Sequence, residues 1–283
     1  MTRTPGLLAL LVLLSACRKG DAVPSYVHIP AISVQAGPEF GGGTSKITDA
    51  WVSVNDRSLG SWELPARVPV IGQGRVTITV TPGVKRNGSY DDRLRYPYYS
   101  TWQTSLELIP ERSTTIDPQV SYVPSTSVWA ERFNEAGNAL IVSGSSDTSL
   151  IVHTAPELLL DASPCAGFAL DADHTDFSAY TDQDFNGAFG PVFVELDYST
   201  DVPLTFGLAY TEGGDESSEP WVVLVATTSE GGQRWNKVYI DVTEFFNVAG
   251  LTDRDFYLAA TLPSGRLFAN VFIENLKLVR PTS

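Results

Sequence analysis

The residues with the clearest chemistry lie in a short acidic stretch, Asp182-Gln183-Asp184-Phe185-Asn186-Gly187. Oxygen-bearing side chains at alternate positions, followed by glycine at the sixth, match the first half of a loop that wraps a calcium ion. The glutamate expected at the twelfth position is missing, because Phe193 stands there. The spacing therefore predicts no EF-hand, and Asp182, Asp184 and Asn186 remain candidate ligands of a looser calcium site.

Further carboxylates lie just upstream, at Asp171, Asp173 and Asp176, within a strongly acidic stretch. From residue 133 to residue 233 the chain has 17 Asp or Glu and no Lys or Arg. Two interpretations stay open for these side chains. They either contribute oxygen ligands to the same calcium site or form a solvated surface that keeps the protein soluble.

Another pair of carboxylates, Glu195 and Asp197, has the spacing of a catalytic pair, because residues i and i+2 of a strand point to one face. Retaining glycosidases need two working carboxyl groups about 5–5.5 Å apart. Ser199 and Thr200 stand where a third carboxylate of such a pattern would fall, so the pair is interpreted as a strand edge. No Gly-x-Ser-x-Gly turn occurs and the histidines are scattered, and we predict that the protein is not an enzyme.

Aromatic side chains in turn-rich or acidic surroundings are candidate platforms for sugar rings. Tyr98 and Tyr99 belong to a dense Tyr-Pro-Tyr-Tyr stretch, and Tyr180 lies in the acidic segment. We predict that these three side chains are exposed and contact a ligand. Strand alternation instead predicts that Trp51 and Tyr239 lie in a core.

Charge is divided unevenly along the 283-residue chain, whose formal net charge is −14. Residues 26–122 contain 9 basic and 9 acidic side chains, whereas residues 123–283 contain 7 basic and 23 acidic ones. Because affinity for the phosphate backbone comes from Lys and Arg, nucleic acid is excluded as a partner. The only cysteines are Cys17 and Cys165, and we predict that Cys165 is a small buried core residue.

The N-terminus has the pattern of an export signal. Arg3 precedes an apolar run that ends in Leu14-Ser15-Ala16-Cys17. A charged start, a short apolar segment and small residues before the cut are typical of a secretory signal peptide. The Leu-Ser-Ala-Cys ending resembles the bacterial lipoprotein signal. The resemblance implies removal of residues 1–16, acylation of Cys17 with palmitate among the chains, a tether over 17–25, and an outer-membrane anchor on either face.

Residues 26–122 alternate apolar and polar positions in short runs separated by turn signals. The predicted strands include residues 26–29, 50–54, 75–80 and 104–108. The run from Trp51 through the turn at Asn55-Asp56, and the strand that ends at Pro82-Gly83, resemble PEGA-type and prealbumin-like domains. The resemblance implies a small β-sandwich and supports no activity.

Residues 123–128 are typical of a short linker, and residues 129–283 contain a longer series of strands. The series opens with Trp129-Ala130-Glu131-Arg132-Phe133 and closes with residues 272–279. It resembles the galactose-binding-like jelly rolls of carbohydrate-binding modules, in which the first and last strands pair and share a structural ion. The resemblance implies Glu131 and Glu274 as calcium ligands. Together the two parts resemble lipoproteins of Bacteroidota.

The sequence therefore predicts an all-β protein of two domains, a prealbumin-like sandwich followed by an acidic jelly-roll β-sandwich. We predict a lipid-anchored, non-catalytic protein that binds carbohydrate, with calcium as a candidate cofactor. The alternative is a structural lipoprotein that spaces or assembles protein partners at the cell envelope.

Overall fold

The computed structural model describes residues 23–135, 137–228 and 233–282. The signal segment and Cys17 lie outside these ranges, so lipidation stays a prediction. The described residues form twenty-one strands, one α-helix and two short 3-10 helices, which confirms the all-β fold class. None of the helices in these ranges is long and apolar enough to cross a membrane.

Ten strands belong to residues 23–122, called here the first half. They are β1 (Ser25–Ile29), β2 (Ser33–Gln35), β3 (Asp49–Val54), β4 (Arg57–Glu63), β5 (Ala66–Val70), β6 (Gly74–Lys85), β7 (Arg93–Arg95), β8 (Trp102–Leu108), β9 (Ser113–Thr115) and β10 (Gln119–Ser121), with a 3-10 helix at Pro38–Phe40. One sheet has the order β4-β3-β6-β7, and β8 also pairs with β6. Smaller sheets, β5-β1-β9 and β10-β2, accompany it.

Turn chemistry explains the first hairpin of this half. Asn55 and Asp56 both have positive φ, 46° and 63°, as a two-residue turn between β3 and β4 requires. The strand end predicted at Pro82-Gly83 is wrong, because β6 continues to Lys85. The glycine is needed there for packing, since a Cβ would overlap the ring of Trp51 on β3.

Eleven strands belong to residues 123–282, called here the second half. They are β11 (Thr126–Glu131), β12 (Leu140–Val142), β13 (Ile151–His153), β14 (Cys165–Asp171), β15 (Asp176–Thr181), β16 (Phe193–Thr200), β17 (Leu204–Glu212), β18 (Asp215–Leu224), β19 (Asn236–Asp241), β20 (Leu251–Thr261) and β21 (Phe268–Pro281). A 3-10 helix covers Pro156–Leu158, and helix α1 covers Thr243–Asn247. The six-stranded sheet has the order β13-β14-β21-β16-β19 with β11 on β21, and the five-stranded sheet has the order β12-β15-β20-β17-β18.

These two sheets enclose the larger core, which confirms a jelly-roll-like sandwich in this half. Phe168 of the six-stranded sheet stacks on Phe177 of the five-stranded sheet, with ring centroids 3.7 Å apart. The first and last strands, β11 and β21, pair antiparallel, as the resemblance implies. Cys165 is fully buried at the start of β14, as predicted.

Strand β16 is covered on both faces, and all of its residues are buried. Alternation sends Val194 and Leu196 into the core of the sandwich. Phe193, Glu195 and Asp197 point the other way, and the first half covers them. The interpretation of Glu195 and Asp197 as a strand edge is therefore wrong, because β16 is paired with β21 on one side and with β19 on the other.

The two halves meet through side chains of the second half that enter the core of the first. Phe193, Tyr239 and Val279 belong to that core. The predicted burial of Tyr239 is confirmed, whereas Trp51 is only half-buried. The domain bounds inferred from the sequence stay a prediction.

Candidate functional site

One transverse row of residues crosses the outer face of the five-stranded sheet. The strand registers place in line, from edge to edge, Ile141, Tyr180, Tyr257, Gly207 and Pro220. On β20 the residues on either side of Tyr257 are buried, so strand alternation turns the tyrosine outwards. These five residues are called here the tyrosine row.

Tyr257 lies across the sheet because the residue opposite it is glycine. A Cβ at Gly207 would overlap Cζ, Cε1 and the hydroxyl of the Tyr257 ring. The ring of Tyr180 stands beside it, with a centroid distance of 5.4 Å and an interplanar angle of 40°. Both rings are half-buried, which leaves a joint aromatic surface open to solvent.

Carboxyl and hydroxyl groups surround a depression that borders the tyrosine row at Tyr180. The depression there has a volume of about 560 Å³, and its lining includes Tyr180, Asp184, Glu216, Ser218 and Asp255. Burial raises the pKa of Asp255 to about 6, and the negative charges of Asp184 and Asp253 act in the same direction. A hydrogen bond of 2.8 Å from Thr181 Oγ1 partly offsets that rise.

The five strands of this sheet contain a single basic residue, Arg254, and it does not reach the outer face. Arg254 is 4% exposed, and its guanidinium donates hydrogen bonds of 2.7 Å to the carbonyl oxygens of Val248 and Leu251. The outer face therefore combines aromatic rings with hydrogen-bond acceptors. Such a surface suits the hydroxyl groups of a neutral ligand and disfavours an anionic polymer.

The acidic residues predicted to bind calcium form two groups at opposite ends of β15. Asp171, Asp173 and Asp176 surround the turn that begins the strand, whereas Asp182 and Asp184 follow its last residue. Six residues of extended strand span roughly 20 Å. The structure therefore does not bring the two groups together.

Of these carboxylates, Asp171 and Asp176 accept hydrogen bonds from nearby residues. Asp171 accepts hydrogen bonds of 2.9 Å from the backbone amides of Asp173 and His174, which lower its pKa. Asn186 points its backbone carbonyl at Arg280, at 3.2 Å. Among the described residues no three His, Cys, Asp or Glu side chains are grouped so that they could hold a metal ion. Calcium stays a prediction.

Glu131 and Glu274, the pair implied by the jelly-roll resemblance, bind two different loops. Glu131 accepts hydrogen bonds from the amides of Phe133 and Ala139. Glu274 accepts hydrogen bonds from the Leu160 amide at 3.1 Å and from a nearby serine hydroxyl at 2.9 Å. Each carboxylate therefore holds its own loop, and an ion shared between them stays a prediction.

The predicted exposure of Tyr98 and Tyr99 is wrong, since they are 4% and 3% exposed. Tyr98 donates to the carbonyl of Pro191, and the hydroxyls of Tyr99 and Tyr239 lie 3.1 Å apart. Both contacts cross to the second half, which covers this turn-rich stretch. Of the three predicted platforms, only Tyr180 lies on the outer face of a sheet.

Beneath the same stretch lies a charged network that sequence reasoning missed. The ammonium group of Lys237 lies 3.1 Å from Glu195 Oε2 and 3.5 Å from Asp197 Oδ2. Burial alone would lower the pKa of Lys237, but the two carboxylates raise it. Lys277 donates a 2.5 Å hydrogen bond to the carbonyl of Gly42, and burial lowers its pKa to about 8. The negative charges of two carboxylates and the positive charges of two lysines thus offset one another where the two halves meet.

Sequence reasoning also did not predict Tyr257 and Gly207 as site residues, although the pattern of β20 carries a signal for Tyr257. In Asp255-Phe256-Tyr257-Leu258-Ala259-Ala260 every second residue is buried. This period-two pattern, applied to β20, places Asp255 and Tyr257 together on the outer face. Gly207 carried no comparable signal, because its role depends on the strand paired with it.

No protein-family model and no curated protein sequence matches the chain. A similar solved structure is the CBM22-1–GH10 portion of endo-1,4-β-D-xylanase 10B from Clostridium thermocellum, complexed with xylohexaose, at 9% identity and a TM-score of 0.40. The match covers 54% of this chain and only 28% of that one.

Two further similar structures are matched over most of their length. One is the K1 cleaved adhesin domain of Lys-gingipain from Porphyromonas gingivalis, at 10% identity and a TM-score of 0.40, covering 56% of this chain and 99% of that one. The other is a CBM28 module specific for non-crystalline cellulose, at 15% identity and a TM-score of 0.37, covering 50% and 86%. What establishes the β-sandwich fold here is the strand order and pairing of the chain itself.

Proposed function

We propose that the protein binds carbohydrate on the tyrosine row and catalyses no reaction on it. The observation that carries the proposal is the ring of Tyr257, which lies across Gly207 beside Tyr180 on an outer sheet face. Aromatic rings present flat apolar surfaces on which the C–H face of a sugar can stack. Nearby carboxylates and hydroxyls then orient the sugar hydroxyl groups.

The ligand proposed is a neutral oligosaccharide rather than a monosaccharide. The row crosses five strands, and at about 4.8 Å between neighbouring strands it is roughly 19 Å long. Acidic side chains border it, so a polyanionic glycan would meet like charge. A neutral chain laid across the strands would contact both tyrosines.

A glycan array with the purified full-length chain in mild detergent tests this proposal. We expect at least one neutral glycan to bind and Tyr257→Ala to weaken that binding at least about tenfold, as truncation of a central aromatic anchor does. Tyr90→Ala is the matched control, because Tyr90 is a 69% exposed tyrosine of the first half. The proposal fails if no glycan binds or if the two variants bind alike.

The same array, run with calcium and with a chelator, tests the predicted cofactor. A calcium requirement would support a role for Asp182, Asp184 or the other predicted ligands. Binding that is unchanged by the chelator would remove calcium from the proposal and leave the tyrosine row in place.

We also propose that acylated Cys17 anchors the protein in the outer membrane. Each acyl methylene buried in a bilayer contributes roughly 0.8 kcal/mol, so several chains hold a protein there durably. Metabolic labelling with palmitate should mark the wild-type protein and not Cys17→Ser, which should move to the soluble fraction. Equal membrane recovery and no label on either protein would contradict the anchor.

A further inference from the structure

A cleft of about 650 Å³ lies where the first half meets β19 of the second. Its first wall comes from the segment Thr44–Lys46, and its second from Arg234, Trp235, Asn236 and Lys237. The cleft lies at the junction of the two halves, whereas the tyrosine row lies on the five-stranded sheet. Ligand sites often form at such junctions, because two separately folded surfaces supply the groups.

The charges that line this cleft do not balance. Lys237 is already neutralised by Asp197, at 3.5 Å, and by Glu195. In the described ranges neither Lys46 nor Arg234 forms a salt bridge. Two positive charges are thus left at a cleft of a protein whose net charge is −14.

The ammonium group of Lys46 has a neutral hydrogen-bond partner and two positively charged neighbours. Its ammonium group donates a 2.6 Å hydrogen bond to Asn236 Oδ1, a neutral acceptor. Partial burial lowers the pKa of Lys46, and the positive charges of Arg234 and Lys85 lower it further. A bound anion would relieve this repulsion.

One residue that lines the cleft carries a hydrogen-bond donor without an acceptor. The indole Nε1 of Trp235 is buried and has no hydrogen-bond partner in the described part of the chain. Leaving a buried donor unsatisfied destabilises the fold. A ligand oxygen in the cleft would accept this hydrogen bond once the indole ring of Trp235 turns towards the cleft.

We propose that this cleft binds a small molecule carrying a carboxylate or phosphate group, held by Lys46 and Arg234. The guanidinium presents paired donors that fit the oxygens of either group, and the ammonium adds a point charge. The net charge of −14 on the whole protein disfavours a long polyanion, so the ligand proposed is a compact one. This site is separate from the tyrosine row. The row is proposed to bind a neutral glycan, whereas the cleft is proposed to bind an anion.

Calorimetric titration of the purified full-length chain with glucuronate, inorganic phosphate and glucose tests the proposal. Binding of glucuronate alone indicates an acidic sugar, and binding of phosphate alone indicates a phosphorylated ligand; either result supports an anion site. We expect the double substitution Lys46→Gln, Arg234→Gln to lower the affinity for the anion at least about tenfold. Tyr257→Ala should leave anion binding unchanged, which separates this site from the proposed glycan site.

The matched control is Arg57→Gln with Arg75→Gln, which removes the same charge from exposed positions of the first half. Trp235→Phe is a second probe, because it keeps a ring and removes the N–H donor. Unfolding curves confirm that each variant is folded. The proposal is overturned if neither anion binds, if glucose binds equally well, or if the cleft and control double variants bind the anion alike.

Discussion

The hydroxyl of Tyr96 donates a 2.8 Å hydrogen bond to Glu195 Oε1, although the two residues belong to different halves of the chain. Both side chains are buried, and Tyr122 donates to the same oxygen at 2.9 Å. Burial would raise the pKa of Glu195, but Lys237 and Lys277 lower it, so the carboxylate is held ionised. Charge-assisted hydrogen bonds therefore hold the two halves together, in addition to the apolar contacts between them.

The first prediction concerns the hydrogen bond from Tyr96 to Glu195. Tyr96→Phe should lower the free energy of unfolding by about 1.5–3 kcal/mol, because it removes a hydrogen bond to a buried charge. Tyr99→Phe is the matched control. Tyr99 lies in the same cluster, but its 3.1 Å partner is the neutral hydroxyl of Tyr239. Urea unfolding measures both variants, and equal losses would mean that the Glu195 charge adds nothing to the bond.

Sequence reasoning succeeded where local patterning decides the structure. Alternation located the strands around Trp51 and Tyr239, and the Asn55-Asp56 turn has the conformation that its residues favour. It failed for Tyr98 and Glu195, because their surroundings come from parts of the chain about a hundred residues away. A turn-rich or acidic stretch of sequence is exposed only where no distant segment packs over it. The local sequence pattern does not show whether such a segment is present.

The second prediction uses the glycine beneath the aromatic platform. In Gly207→Ala the new methyl group would overlap the ring of Tyr257, which must then swing off the sheet. We expect glycan binding to weaken, with only a modest loss of stability, because the half-exposed ring has room to move outwards. Gly144→Ala is the control, since a Cβ there meets nothing within 4 Å. Unchanged binding by Gly207→Ala would show that the position of this ring does not matter for the ligand.

The third prediction concerns packing in the first half. In Gly83→Ala the added Cβ would overlap the ring of Trp51 and come within 3.1 Å of Asp49 Cβ. Forcing extra volume into a packed site costs typically 1–3 kcal/mol. Thermal unfolding should show this loss for Gly83→Ala and not for Gly144→Ala. A variant as stable as the wild type would mean that Trp51 repacks without cost.

The last prediction concerns the pH dependence of stability. Burial and the neighbouring Asp161 raise the pKa of Glu274 to about 7, from an ordinary value of 4.5. Between these values the folded protein binds more protons at this group than the unfolded chain does, so its contribution to stability falls as pH rises. Glu274→Gln removes that dependence and keeps a side chain of the same shape. Between pH 5 and pH 8 the wild type should lose on the order of 1–3 kcal/mol relative to the variant, because each pKa unit corresponds to about 1.4 kcal/mol.

Urea unfolding at several pH values measures this difference, with Glu157→Gln as the control. Glu157 is an exposed glutamate of the adjoining 3-10 helix, so its removal changes the same formal charge without touching the buried carboxyl group. The stability difference between wild type and Glu157→Gln should stay constant over this range. A constant difference for Glu274→Gln as well would mean that Glu274 ionises in the folded protein as it does in the unfolded chain, and that the contact with Asp161 carries no proton-linked energy.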